Sequence, residues 1–330
     1  MAVAAGGLRG GAAISSIEDR EWLKLDSRCL PDGDVLSFDL YLRLGSQGVL
    51  YLRLGHPFPA DDRRRLWEVG VRSFWVSPWQ TQECSNYFER RLSSVLADDS
   101  IPLQQRSSIL YMSATQTLRQ ILDSPSSPEG LRRSNDLARE VVAHLARNRD
   151  ALLALHQVMS ADYYTYTHCM DVCIYAVGLA KRALGDDRPA LEEVGLGALL
   201  HDLGKVRVGE RVLRKAGPLS PEEWQTMRKH PQWGAETLAD MGCNSETVST
   251  IVLSHQERGD GTGYPYGLRL PEIDVRGRLV AVCDVYDALT TERSYRHAMS
   301  SFEALKLMRQ KMGGQFDEQL LRQFVLMLGG

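Results

Sequence analysis

The sequence predicts an α+β N-terminal domain followed by an all-α helical bundle. Three observations carry that expectation. Extended segments punctuated by turn residues are confined to residues 21–80. Beyond them, apolar residues recur at spacings of three and four through almost all of the chain. The 330 residues also suffice for about two domains at ~150 residues each. With 43% hydrophobic and 25% charged residues, the composition is that of an ordinary globular protein.

Taken in order, residues 1–20 open with MAVAAGGLRGGAAISS, which is small and Gly-rich and lacks the Leu-rich run of a secretory signal. They are expected to form a disordered tail. Residues 21–80 are expected to form the small α+β domain. DVLSFDLYLRL (34–44) reads as extended, Gly45-Ser46-Gln47-Gly48 as a turn, and GVLYLRLG as the returning strand. The pentapeptide YLRLG occurs at 41–45 and again at 51–55; both copies alternate Tyr and Arg with Leu, as a half-buried hairpin requires. Pro59-Ala60-Asp61 marks a helix start, and SFWVSP (73–78) a further strand.

Residues 81–158 are expected to be a helical linker or regulatory region, with helices over 81–98, 102–123 and 128–158. In the last, Leu137, Val141, Leu145, Leu152 and Leu155 lie near one face. That stripe suits packing within a domain or a signalling or dimer helix between domains. Residues 159–330 are expected to form the all-α catalytic domain, with helices over 162–183, 189–203, 220–240, 245–256, 275–291, 301–312 and 317–328. Ser220 before Pro221-Glu222-Glu223 is an N-cap signature, and Ser301 with Glu303 a weaker one.

The formal net charge of −3 leaves no global basic footprint, so no nucleic-acid polymer is expected as partner. No run approaches the ~18–20 apolar residues of a membrane helix, so no membrane insertion is expected. Cysteines 29, 84, 169, 173, 243 and 283 form no CxxC pair and read as reduced thiols of a cytoplasmic protein.

The chemistry concentrates in the second half. LLHDLGK places His201 and Asp202 side by side at the end of an apolar helix. His168 lies upstream in YTYTHCMDV; His230, His255 and Asp284 lie downstream in MRKHP, LSHQERGDGTGYP and AVCDVYDALT. Helices in a bundle can each direct one such side chain into a shared core. Imidazole with carboxylate suits Fe, Mn or Zn. A carboxylate beside a histidine can bridge two ions, and two ions ~3.5–4 Å apart serve in-line phosphoryl displacement. The other histidines read otherwise: His144, His156 and His297 as packed or surface residues, His56 beside Pro57 as a loop residue. In GDGTGYP, three glycines and a proline force a tight exposed loop. It either lets backbone and Tyr264 approach a nucleotide or braces the His255 helix.

In this order, YTYTH (164–168), HDLGKV (201–206), RKAGPLSPEEW (214–224), MRKHPQWG (227–234), HQERGDGTGYP (255–265) and DVYDALTTERSYR (284–296) resemble the HD-GYP domain, the phosphodiesterase branch of the HD superfamily. The resemblance runs through about 160–330, and the signature is intact at Gly263, Tyr264 and Pro265. It implies an HD-type helical bundle and metal-dependent hydrolysis of cyclic di-GMP to pGpG and on to GMP in bacterial second-messenger signalling. His168, His201, Asp202, His230, His255 and Asp284 match family metal ligands, and two divalent ions, Fe or Mn, are implied. Asp202 and Lys205 are the implied catalytic pair. Lys205, Tyr264, Arg293 and Arg296 match substrate-binding positions, where an arginine fork suits phosphate. Implied partners are cyclic di-GMP, diguanylate cyclase-type proteins at the GYP loop, and a second copy of the chain.

Two departures bear on the metals. Many members carry two adjacent histidines where this chain has His255-Gln256, and some place a glutamate where it has Tyr164. Both favour a dinuclear over a trinuclear centre. Two other readings stand beside the leading one: the same chemistry on another cyclic dinucleotide such as a cyclic GMP-AMP, or a regulatory module that binds nucleotide without turnover.

Overall fold

A computed structural model of the chain describes residues 13–14, 22–44, 47–59, 62–159, 164–213, 215, 217–292 and 297–329. Its contacts divide the chain into two compact units, Met1–Ser113 and Ala114–Gly330.

The first unit is built on an antiparallel sheet of β1 (Ala13–Ile14), β2 (Leu23–Asp26), β3 (Leu40–Leu44), β4 (Gln47–Leu52) and β5 (Ser73–Val76), in the order β1-β4-β3-β5-β2. The expected hairpin is β3–β4, with Leu42 opposite Val49. Its first arm is shorter than expected. Residues 34–39 are not strand, because Asp34 and Asp39 turn the backbone there: Asp34 takes part in loop hydrogen bonds with Pro31 and Phe58, and the Asp39 side chain accepts from Leu54 N–H. Two strands were not anticipated. β2 is only four residues long and pairs with β5, Leu25 opposite Phe74. Ala13–Ile14 pairs with Val49 and Gly48, which corrects the expectation of a disordered tail at those two positions; residues 1–12 and 15–21 lie outside the described residues.

α1 (Asp62–Glu68), α2 (Thr81–Glu89), α3 (Leu92–Ala97) and the start of α4 (Leu103–Asp123) complete the first unit. Its core is aromatic: Phe38, Phe58, Phe74 and Phe88 are fully buried.

The second unit is helical. After the rest of α4 come α5 (Pro128–Arg147), α6 (Ala151–His156), α7 (Thr165–Leu184), α8 (Arg188–Leu200), α9 (Glu210–Leu213), α10 (Pro221–Met227), α11 (His230–Asp240), α12 (Glu246–Ser254), α13 (Val275–Thr290), α14 (Ser301–Lys311) and α15 (Glu318–Leu328). α8 is the hub, packed against α5, α7 and α12; α13 packs on α7 and α12. The Leu137–Val141–Leu145 stripe of α5 is buried, so it packs within this unit. A helix over 128–158 was expected; it breaks at Asn148, whose side chain turns back to the His144 carbonyl.

Capping sets the helix starts. Ser220 and Glu223 form a reciprocal capping box on α10. α14 is capped one residue earlier than expected, by Ser300 with Glu303. The expected single helix over 220–240 is two, and Pro231 is the cause. A proline has no N–H to give the carbonyl four residues back, so the chain restarts as α11 with Pro231 in its first turn.

Candidate metal centre

Three of the site histidines sit where helices end or begin, and backbone hydrogen bonding fixes each ring. The last carbonyls of a helix have no N–H partner of their own. His201 caps α8 and gives its Nδ1–H to the Ala198 carbonyl (2.7 Å); His255 caps α12 and gives its Nδ1–H to the Val252 carbonyl (2.8 Å). At α11, His230 Nδ1–H takes the Met227 carbonyl (2.8 Å), the very acceptor that Pro231 cannot serve. A carbonyl only accepts, so Nδ1 carries the proton in all three rings and Nε2 presents a lone pair.

Those lone pairs converge on Asp202. Its carboxylate lies 3.4 Å from His201 Nε2, 3.4 Å from His230 Nε2 and 3.7 Å from both His255 Nε2 and His168 Nε2. His168 Nε2 also lies 3.1 Å from Asp284 Oδ1. All six side chains are buried. The structure therefore brings together every histidine and aspartate that the sequence singled out, from α7, α8, α11, α12 and α13.

Glycines permit this closeness. A Cβ on Gly204, in the HDLGK turn, would overlap the backbone of His230 and Gly234. The segment bearing Asp202 can thus lie directly on the start of α11.

The electrostatics suit a cation. Burial pushes the His230 imidazole down to about 3 and lowers His255 as well, so both are neutral near pH 7. Burial alone would raise the Asp202 carboxyl, but the Lys205 ammonium beside it holds it well below the usual range. Lys205 Nζ is 2.5 Å from Asp202 Oδ2. The Asp284 carboxyl, although burial alone would raise it, also lies below its usual range. Two neutral rings then face each other at 3.0 Å, His230 Nε2 to His255 Nε2, lone pair toward lone pair. His201 Nε2 and Asp202 Oδ1 are buried with no hydrogen-bond partner. Such an arrangement is costly by itself and favourable around a positive ion. Three overlapping sets have donor atoms within 4.8 Å of one another: His168, His201 and Asp202; His201, His255 and Asp284; Asp202, His230 and His255. The residues present fit divalent metal.

Around this cluster lie further groups, of which sequence reasoning missed Asp287 and Glu257. Asp287 accepts from His168 Nδ1–H at 2.6 Å. Its signal was available, since Asp284 and Asp287 are three apart and share a helix face. Gln256 Nε2–H donates to Asp284 Oδ2 (2.8 Å), so the residue in place of a second histidine bonds a candidate ligand from outside. Buried Glu257 accepts from the Tyr266 and Leu268 N–H groups and ties down the GDGTGYP loop. Gly263 is obligatory in that loop, because a Cβ would strike the Glu257 and Arg258 backbone. The Tyr264 ring lies 5.9 Å from His230, edge to face, and its phenol is raised by burial. Arg293 and Arg296 lie outside the described residues. Of the remaining histidines, His144 is buried, His156 bonds the Tyr175 hydroxyl, and His56 and His297 are exposed; none joins the cluster.

Residues 140–320 match the family model described as HD domain. A Pseudomonas aeruginosa protein named a cyclic di-GMP phosphodiesterase is 41% identical over 196 residues, covering 59% of this chain and 47% of its own. A Xanthomonas campestris protein named a cyclic di-GMP phosphodiesterase response regulator is 31% identical over 261 residues, covering 77% and 61%. The chain spans about half the length of the curated relatives it matches. Among solved structures, an HDG"Y"P protein from Bdellovibrio bacteriovorus shares the fold. Its TM-score is 0.67 at 24% identity, covering 94% of this chain and all of that one. The chain belongs to the HD domain family, and the intact Gly263-Tyr264-Pro265 places it in the HD-GYP branch. No helix among the described residues is long and apolar enough to cross a membrane.

Proposed function

We propose that this chain is a metal-dependent phosphodiesterase that hydrolyses cyclic di-GMP to pGpG. The observation that carries the proposal is the convergence of four imidazoles and two carboxylates whose Nε2 and Oδ atoms face one another in a buried site. The names of the relatives at 41% and 31% identity supply the substrate.

Two divalent ions are proposed, Fe or Mn; His168, His201, Asp202, His230, His255 and Asp284 would hold them, Asp202 being a member of two of the three donor sets. The overlapping donor sets are His168 with His201 and Asp202, His201 with His255 and Asp284, and Asp202 with His230 and His255. When bound, such ions supply Lewis acidity toward phosphoryl oxygens and lower the pKa of water. The protein's own groups do the rest. The backbone carbonyls keep Nδ1 of His201, His230 and His255 protonated, so each Nε2 stays a donor to metal. Lys205, held against Asp202 in the resting site, is the cation placed to meet a phosphate and offset the charge that develops on its oxygens. Tyr264 presents a ring edge beside His230 as one wall for the nucleotide. Arg293 and Arg296 are proposed to hold the phosphates.

The test is a substrate panel. The full chain, loaded with Mn²⁺ or Fe²⁺, is given cyclic di-GMP, 3′3′-cGAMP and cyclic di-AMP, and products are separated by chromatography. Preferential conversion of cyclic di-GMP to pGpG is expected. Faster turnover of another cyclic dinucleotide reassigns the substrate, and tight binding without turnover makes the chain a nucleotide sensor.

A further inference from the structure

Of the four rings in the cluster, His168 alone lies inside a helix. His201 and His255 cap helix ends and His230 opens one, and each finds an unused carbonyl three residues back. His168 is the fourth residue of α7, its own N–H bonded to the Tyr164 carbonyl. Its Nδ1–H goes instead to Asp287 Oδ2 on α13, 119 residues away. Asp287 is buried, and its other oxygen accepts from the Thr291 hydroxyl (3.3 Å), one helical turn on.

A carboxylate behind an imidazole differs from a carbonyl. It carries a full charge, makes the shorter and stronger bond, and raises the basicity of the far nitrogen. The two halves of the cluster therefore differ. Around His168 stand Asp202, Asp284 and, one ring further out, Asp287; His230 and His255 face Asp202, and Asp284 also lies near His255, but neither ring has a carboxylate behind its Nδ1.

We infer that Asp287 is a positioning residue that fixes the His168 ring, and that through it the metal position at His168, His201 and Asp202 is the tighter of the two. This rests on the metal-dependent reading above. It gives Asp287 no contact with substrate and no proton to transfer: the Nδ1 proton stays between His168 and Asp287, and only the donor strength of Nε2 changes.

The experiment is Mn²⁺ binding to the full chain, stripped with a chelator and titrated against a fluorescent competitor, with thermal melting of the metal-free protein alongside. The isosteric Asp287→Asn keeps the shape and removes the charge. It is expected to weaken the tighter Mn²⁺ equivalent ~10–100-fold, to change the weaker one less than about threefold, and to leave the metal-free melt within a few degrees of wild type. Thr291→Val, which keeps the carboxylate, is expected to shift either step less than about threefold. Asp287→Asn with both steps unchanged overturns the inference. So does weakening of both steps alike with collapse of the metal-free melt, the signature of a merely structural role. Wild-type chain that takes up neither Mn²⁺ nor Fe²⁺ overturns the metal reading itself, and this inference with it.

Discussion

The two units bury polar groups differently. Among the described residues, the first unit buries five serines and Arg106, but no histidine and no acid. Its acids stand nearer the surface against arginines, Asp26 with Arg28, Asp32 with Arg63 and Asp34 with Arg91. The second unit buries five histidines and the acids Asp171, Asp202, Glu257, Asp284 and Asp287. Half-exposed pairs contribute at most about 1 kcal/mol each, and a fold can lose any of them. Buried imidazoles and carboxylates cost stability unless something compensates. A fold that gathers several in one place has kept them for a reason other than stability, and that reason locates the chemistry.

The contrast breaks most directly at Asp202. Asp202→Ala should abolish tight metal uptake and lower kcat/KM at least ~1,000-fold, about 4 kcal/mol of barrier. Asp26→Ala in the first unit should leave turnover unchanged and cost no more than about 1 kcal/mol of stability. Elemental analysis and product chromatography on both variants decide it. Full metal occupancy with intact turnover in Asp202→Ala would remove the site from this cluster.

The unit boundary is the next largest effect. We propose that the helical unit stands alone from about residue 114, because α5 buries Leu137, Val141, Val142 and Leu145 within it. Removing α5 would strip away four buried side chains worth ~1.5–3 kcal/mol each and uncover the faces of α7 and α8 on which they pack. A chain starting at residue 114 should melt cooperatively. One starting at 155 should aggregate during purification, and a well-folded monomer from that start would refute the boundary.

How much of this was legible in the sequence depends on what each residue is required to do. The six clustered side chains were legible because their spacing matches a family pattern, and every one of them reaches the site. The devices that aim them were harder to read. The carbonyl bonds of His201, His230 and His255 depend on where helices stop, and one unremarked proline decides that at His230. Asp287 and Gln256 act across helices, 119 and 28 residues from their partners; the spacing of Asp287 from Asp284 and the place of Gln256 beside His255 mark them as near the site, but not which side chain each one bonds. In the first unit the hairpin was legible from its alternation. β2 was not, because four residues carry too little periodicity to stand out.

The contrast between the units sharpens with pH. In the metal-free chain, burial holds His230 near 3 and lowers His255 too, whereas unfolded histidines titrate near 6.5. The unfolded state then binds protons that the folded state refuses. The sign follows: these groups cost nothing above about pH 6.5, and stability is lost as pH falls from there toward about 3. Asp202 and Asp284, both held low, act in the same direction at the acid end. Urea unfolding of chelator-treated protein at pH 7.5 and pH 5 should show a loss of a few kcal/mol. A chain equally stable at both values would mean that the rings are not held neutral.

The smallest effect is expected at Gln256, and it is the most discriminating. Neighbouring helical residues point about 100° apart, so a side chain after His255 need not share its target. Gln256 bonds Asp284 Oδ2 from outside the cluster, where its amide donates a hydrogen bond and orients the carboxylate. His255 then serves the second metal position without it. Gln256→His would offer a ring nitrogen for the same bond or a further ligand, but nothing in the geometry makes either necessary. The wild type should hydrolyse cyclic di-GMP with Mn²⁺ or Fe²⁺, and Gln256→His should change kcat by less than about tenfold, or about 1.4 kcal/mol. Gln256→Leu, which leaves Asp284 Oδ2 without this donor, should be the slower of the two variants. If instead the wild type were inert with every metal and Gln256→His restored turnover, the buried cluster would be a nucleotide-binding site that had lost its chemistry. Its contrast with the first unit would then report ancestry rather than present activity.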